Sequence, residues 1–496
     1  MPATSICRFG APAGAPRCRP LVVALLWLLA LPAAPVNANA DAAALAESLW
    51  RQAQAASIPA MALVIVDGDR PAFVSVHGDG ADLQTPFRWG SITKVVTALT
   101  LLELARDREV ALTTPVAELL QPPPFDNPWE AQAPLRIEHL LELTAGLADL
   151  TPAEFDDNRV LSLAAALADR RRLLWPPGLH HSYSNVAAGF SQALIEQLSG
   201  RTYAQAAAER VFRPLGIGGA SFVPDPRLPG GFQADGSREI PYWNMTFPAF
   251  GALNAPPAGM ARLVRALLHQ GRVDGKPVFA ADTIARLYRT QSSLGPNAGL
   301  EIGYGAGLYG WASHGQLFYG HGGDADGYRS RLGLLPDAGR GYLLVVNADN
   351  PRALRALTRQ VEAFLARDLA ATPIPPPGQP EAALLERLAG RYYPAAARFG
   401  VSRWQRGEAT PADVLRVGDE LRVTIGGRTT PLLYQDRLRF RRPADPAVSV
   451  VFAEHEGDLY LQGELGAFVR IHPGRCPAYI ERCEPPPPRP PDSVDQ

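Results

Sequence analysis

The sequence predicts an α+β fold: an antiparallel sheet flanked by helices and interrupted by a helical insert, followed by a small all-β, barrel-like domain. Three observations carry this. Met61 to Val66 and Ala72 to Val76 are apolar runs joined by Asp67-Gly68-Asp69-Arg70-Pro71, which reads as a strand hairpin. Gln316 to Tyr319, Tyr328 to Leu335 and Tyr342 to Val346 are further strand-like runs, and their short spacing favours antiparallel neighbours over crossover helices. Beyond a proline-rich stretch, seven short runs alternate apolar and polar residues between turns, from Val414–Val417 through Leu421–Ile425, Leu432–Tyr434, Leu438–Phe440, Val448–Phe452 and Leu459–Leu461 to Ala467–Ile471.

The elements follow in order. Residues 1–40 read as a signal peptide: Arg8, Arg17 and Arg19 make a positive start, Leu21 to Ala33 is a compact apolar run, and Ala38-Asn39-Ala40 offers small residues for cleavage before Asp41. The run is too short to span a bilayer comfortably. A periplasmic or secreted mature chain is expected, with no membrane span; losing three arginines and no acidic residue takes the formal charge from -1 to -4. Residues 43–56 place Leu45, Leu49, Ala53 and Ala56 on one helical side. The 41–370 unit continues through a helix-rich stretch from about 110 to 270, in which Arg136 to Leu143 and Ala187 to Leu198 look helical. Turns are expected at Gly322-Gly323 and Pro336-Asp337-Ala338-Gly339, and Leu354, Leu357, Val361 and Leu365 mark a last amphipathic helix. Residues 371–380 form a stiff linker, 381–475 the barrel-like domain, and 476–496 a cysteine pair with a proline-rich tail. In an exported chain Cys476 and Cys483 are expected to form a disulfide.

Composition narrows the function classes. With 496 residues, 47% hydrophobic and 20% charged, the chain is ordinary globular protein of two or three domains. A formal charge of -1 and the lack of a basic block give nucleic-acid partners no support, so small-molecule or peptide chemistry is expected. No cluster with metal-ligand spacing and no cofactor motif is found, and a G-x-S-x-G elbow is lacking. Oligomeric state is not legible.

The chemistry centres on Phe87-Arg88-Trp89-Gly90-Ser91-Ile92-Thr93-Lys94. Val95, Leu99, Leu102 and Ala105 follow at helical spacing, which puts Ser91 in the first turn of a buried helix with Lys94 three residues on, facing the same way. The choice of lysine is informative: of 48 Lys+Arg only Lys94 and Lys276 are lysine. Arginine does not give up its proton, whereas a desolvated lysine amine does. Further on, Tyr183 and Asn185 stand two residues apart where a helix is expected to start; the tyrosine hydroxyl can relay a proton and the asparagine amide can hold a substrate amide. An ordinary helix start, with Asn185 as cap and Tyr183 packed, uses the same residues. His321 sits in Tyr319-Gly320-His321-Gly322-Gly323-Asp324 at the expected end of a strand, where it could contact a substrate carboxylate or transfer a proton, and where glycines admit a substrate backbone.

In this order Ser91-x-x-Lys94, Tyr183-x-Asn185 and His321-x-Gly323 resemble the serine β-lactamase and penicillin-binding-protein superfamily. The similarity is to the branch of class C β-lactamases, D-alanyl-D-alanine carboxypeptidases, D-aminopeptidases and esterases, and it covers about residues 45–368. It implies an acyl-enzyme on Ser91, proton movement through Lys94 and Tyr183, an oxyanion hole from the backbone N–H groups of Ser91 and Asp324, and substrate contacts from Asn185, His321 and Gly323. Two departures stand out. His321 replaces the lysine of true class C β-lactamases, and Leu143-Thr144-Ala145-Gly146 replaces the usual His-Thr-Ser-Gly at a structural site. A β-lactam carboxylate is held less firmly by neutral imidazole, so an ester or a D-amino-acid peptide is the expected substrate. The alternative is a binding or sensor protein that acylates without turnover. The C-terminal domain is expected to pack as a stabilising cap; the other reading lets it reach into the active-site mouth and restrict substrate size.

Overall fold

The computed structural model describes residues 38–470 except 79, 151–158, 160, 169–171, 397–409 and 464–465. Most of the expected signal peptide, and the Cys476/Cys483 pair with its tail, lie outside the described residues. Helix α1 (Ala38–Ala55) leads into β1 (Met61–Asp67) and β2 (Phe73–His77). Four strands close the sheet: β3 (Tyr309–Ser313), β4 (Gln316–Ala325), β5 (Tyr328–Leu335) and β6 (Arg340–Val346). The spatial order is β2-β1-β6-β5-β4-β3, with every neighbour antiparallel.

Between β2 and β3 lie the insert helices that matter for the site, α2 (Thr93–Asp107), α3 (Asn185–Ser199) and α4 (Pro257–Leu268); α5 (Pro351–Ala366) follows β6. β1 reads as a continuous apolar run because both its faces are covered. Met61, Leu63 and Ile65 pack with Leu49, Leu357 and Val361 of α1 and α5, while Ala62, Val64 and Val66 join the larger core that holds α2 and α4. Helix starts are chemically marked: Ser184 accepts from Ala187 N ahead of α3, and Asn350 accepts from Ala353 N ahead of α5 with Pro351 following.

The C-terminal unit is an eight-stranded closed barrel. Its strands are β7 (Gly390–Pro394), β8 (Ala412–Val417), β9 (Glu420–Ile425), β10 (Arg428–Asp436), β11 (Arg439–Arg441), β12 (Val450–His455), β13 (Asp458–Gly463) and β14 (Gly466–Arg470). Closure falls to β7, whose Gly390–Tyr392 pairs with β8 and whose Tyr393–Pro394 pairs with β14. The connecting segment is tied at both ends: Thr372 N donates to Gly315 O, Gly378 N to Tyr434 O and Arg441 Nη2 to Pro375 O.

Three local expectations change. β4 runs straight through Gly322-Gly323, and the reversal comes at Asp326-Gly327, where Gly327 has φ 73°. The glycines there serve close packing rather than a turn. β3 and β7 go unseen in the sequence because Tyr309–Ser313 contains glycine and small residues and Gly390–Pro394 is bounded by glycine and proline, which read as breakers. No helix among the described residues is long and apolar enough to cross a membrane.

Three buried histidines set an acid limit on this fold. Burial is the main cause that lowers His139 to about 4, and His180 and His321 to about 3. The unfolded chain therefore takes up protons below its ordinary histidine pKa near 6.5 that the folded chain refuses. The stability these groups contribute is fully present above that value and is lost as pH falls toward the folded values, at about 1.4 kcal/mol per pH unit for each. The urea midpoint is expected to drop steeply between pH 7 and pH 5. His180 packs against Trp175 with the rings tilted and their centroids 5.1 Å apart, and His180→Phe is expected to flatten that slope; an unchanged slope would remove His180 from the account.

Candidate active site

Ser91 lies in a single 3-10 turn, Gly90–Ile92, that runs directly into α2. The turn is fixed from three sides. Trp89 N donates to Leu253 O and its indole Nε1 to Ala255 O; Thr93 Oγ1 donates to Gly90 O and accepts from Leu253 N; Ser330 Oγ donates to Trp89 O. Gly90 has φ 55°, and a Cβ there would stand 2.6 Å from Asp324 N. A Cβ on Gly323 would stand 2.0 Å from Trp89 O. The Ser91 turn and β4 are thus in backbone contact, which only glycine on both sides permits.

Ser91 Oγ accepts from Lys94 Nζ at 3.2 Å and from Tyr183 OH at 3.0 Å. Lys94 is 5% exposed, and its Nζ also donates to Asn185 Oδ1 at 2.7 Å and Phe250 O at 2.9 Å. Asn185 is the first residue of α3; the cap is Ser184, which frees the asparagine side chain to face the lysine. Tyr183, just ahead of that cap, is brought in because Ser182 N donates to Leu143 O. Leu143 itself is left-handed, with φ 57°.

His321 is 3% exposed on β4 and lines the same cleft. Its Nδ1 faces Gly322 O, an acceptor, so Nδ1 carries the proton and Nε2 accepts from Tyr304 OH at 2.9 Å. Burial, then the nearby Lys94 charge, lowers its pKa to about 3. The imidazole is neutral, with both nitrogens engaged. Asp324 lines the cleft, and its exposed carboxylate pairs with Arg329 at 2.6 Å. Of the residues singled out in the sequence, Ser91, Tyr183, Asn185, His321 and Asp324 line one cleft of about 560 Å³, with Lys94 bonded to Ser91 and Gly323 packed against Trp89 O.

A family profile described as Beta-lactamase matches residues 43–367. The chain belongs to the beta-lactamase family. Penicillin-binding protein 4 from Amycolatopsis lactamdurans is 29% identical over 360 residues, which cover 68% of this chain and 93% of that protein. The D-alanyl-D-alanine-carboxypeptidase/endopeptidase AmpH of Escherichia coli K12 is 26% identical over 190 residues, 34% of this chain and 46% of its own. Among solved structures, SurE aligns with a TM-score of 0.58 at 23% identity, over 87% of this chain and 99% of that one. A D-stereospecific amidohydrolase from Streptomyces sp. aligns at 0.52 and 23% identity, over 64% of this chain and 97% of that one. These two structural matches speak to fold. SurE's coverage reaches beyond the segment that the family profile matches. The activities in the names, carboxypeptidase/endopeptidase and amidohydrolase, are hydrolytic.

Several residues of this beta-lactamase-family cleft are not among those picked out in the sequence. Tyr304 is the hub of its aromatic wall, stacked on His181 at 5.2 Å and on Tyr309 at 6.1 Å and edge-on to Tyr183 at 6.3 Å. Trp243 and Phe250 form another wall. The barrel contributes Gln462, Gly463, Gly466 and Ala467 from β13 and β14, and Gln462 Nε2 donates to Leu179 O at 3.0 Å. Trp175 and Leu179 pack with Tyr460 and Val469 of the barrel. The barrel therefore packs against the preceding domain and supplies part of the cleft's lining.

Asp149 is the least expected member. It is buried at 5% exposure, and Oδ1 accepts from Asn185 N at 2.7 Å and Leu150 N at 2.8 Å while Oδ2 accepts from Asn185 Nδ2 at 3.3 Å. That grip turns the Asn185 carbonyl toward Lys94. Asp149→Ala is expected to reduce kcat by about 10²-fold through misplacement of the pair, with a smaller change in KM. Stability is expected to fall by about 1–3 kcal/mol from unpaired buried donors. Steady-state kinetics with urea unfolding checks both; a KM-only effect would assign Asp149 to substrate binding.

Proposed function

We propose that this chain is an exported serine hydrolase that forms an acyl-enzyme on Ser91 and acts on an ester or a D-amino-acid-containing peptide or amide. The observation that carries the reading is that Ser91 Oγ stands 3.2 Å from Lys94 Nζ and 3.0 Å from Tyr183 OH in a cleft open to substrate. Asn185 Oδ1 and Phe250 O take two of the lysine N–H bonds. In the amine form the lone pair then faces Ser91 Oγ, which makes Lys94 the base as the serine attacks a carbonyl carbon. Tyr183 passes the proton to the leaving group, and water releases the acyl group in the second half. The Ser91 and Asp324 amides would donate to the developing oxyanion, each worth about 3 kcal/mol. The second N–H of Asn185 would orient the substrate amide.

The wall chemistry favours a neutral scissile region. His321 is uncharged, and the described residues lining the cleft include aromatic and aliphatic groups, Trp243, Phe250, Leu300, Tyr304 and Tyr309, with no arginine. A free carboxylate beside the scissile bond would meet no arginine or lysine on the described lining of the cleft, so esters and D-amino-acid amides suit it better than β-lactams. Export rests on the composition of residues 1–40.

Intact-mass spectrometry of the protein after exposure to a fluorophosphonate tests the reading. A single adduct mapping to Ser91 is expected, followed by turnover of p-nitrophenyl esters or D-amino-acid amides faster than nitrocefin. No adduct would overturn it; an adduct with no turnover of any of them would favour the sensor that acylates without release.

A further inference from the structure

Arg88 precedes Ser91 by three residues and is 2% exposed. Its Nη2 donates to Trp243 O at 3.0 Å, and its guanidinium carbon lies 3.9 Å from the Tyr242 ring centroid. Nε and Nη1, both buried, meet no acceptor among the described residues. A guanidinium cannot shed its charge; Tyr242, Tyr328 and the Asp326 carboxylate act on it electrostatically, yet two of its buried donors stay unsatisfied, which is unfavourable. Arg88 lines a second pocket, of about 230 Å³, with Tyr242, Tyr328, Gly230, Gly231 and Asp326, and this pocket shares no lining residue with the Ser91 cleft.

We propose that this pocket is a binding site for a small monocarboxylate, held by Arg88. The volume fits an acetate- or amino-acid-sized ligand. The other charged groups on its wall are Asp225, Glu239 and Asp326. Asp225 is paired with Arg227 at 2.7 Å; Glu239 and Asp326 are exposed at the mouth, and the Asp326 charge is felt by Arg88. One buried positive charge behind two acidic groups selects a single negative charge over a dianion such as phosphate, and it suits a ligand that also carries an ammonium group. The site lies against the back of the cleft: the residue whose carbonyl takes Nη2, Trp243, has its side chain in the cleft wall.

Calorimetric titration of the full chain with sodium acetate, at constant pH and ionic strength set with sodium chloride, tests the assignment. Saturable binding is expected, about tenfold or more weaker in Arg88→Met, and tighter in Asp326→Asn, which removes a negative charge from the mouth. Glycine is expected to bind at least as well as acetate, and phosphate less well. Absence of saturable acetate binding, binding undiminished in a folded Arg88→Met, or phosphate binding tighter than acetate would overturn the proposal. If Arg88→Met does not fold, Asp326→Asn decides: unchanged or weaker acetate binding overturns it.

Discussion

Ser91→Ala is expected to lower kcat/KM by about 10⁴-fold or more, and Lys94→Met by a similar amount, with the double variant scarcely worse than either. The non-additivity follows from geometry. Lys94 Nζ has one function at the serine, reached across 3.2 Å, and no function once the hydroxyl is gone. The two single variants are expected to separate in stability instead. Ser91 sits half-buried in its turn, and loss of its hydroxyl leaves Tyr183 OH facing an open cleft. Removal of the Lys94 amine leaves Asn185 Oδ1 and Phe250 O buried without that donor, which costs about 1–3 kcal/mol. Thermal unfolding is therefore expected to fall for Lys94→Met and to stay near wild type for Ser91→Ala. A Lys94→Met protein retaining a tenth of wild-type turnover would show that the base is another group.

Much of the proposed catalytic set is legible because it is written in rare residues at short range. A lysine three positions after a serine, in a chain with two lysines, is conspicuous before any fold is known. Tyr183 and Asn185 needed only the expectation of a helix start, and the apolar runs of β1, β5 and β6 announced the sheet. Other features depend on contacts that no local pattern encodes. Asp149 reaches Asn185 across 36 residues, and Tyr304 gains its meaning from His181, Tyr183 and His321 at once. His321 reads from the sequence as a candidate carboxylate contact or proton-transfer group between glycines at the end of a strand. Its burial on β4 and its bond from the Tyr304 hydroxyl come from contacts the sequence does not encode. The barrel's reach to the cleft is one of two readings the sequence leaves open, but the residues that make it, Gln462 and Gly463, are not marked out, since they belong to strands whose alternation speaks only of a barrel.

Gly323→Ala is expected to reduce kcat by about 10²–10³-fold, the loss of one oxyanion donor, whereas Gly322→Ala, one residue earlier, is expected to keep most of the activity. The contrast rests on what each new methyl would meet. At Gly323 a Cβ would come within 2.0 Å of Trp89 O and 2.2 Å of Ser330 Oγ, and the first of these is backbone that cannot rotate away. Ser330 also holds Trp89 O through its hydroxyl at 2.9 Å, so the methyl disturbs that tie as well. Relief requires β4 and the Ser91 turn to part, and the Asp324 amide moves with β4, away from the Ser91 amide that is to share the oxyanion. At Gly322 the nearest atoms are Arg331 Nη1 and Tyr309 Oη, both at 3.5 Å, which is ordinary contact with side chains. Substrate affinity is expected to change little in Gly323→Ala, because the donor acts on charge that develops only in the transition state. Equal loss in the two variants would show that the strand's backbone, and not its distance from the Ser91 turn, sets the rate; a fully active Gly323→Ala protein would remove Asp324 from the oxyanion hole.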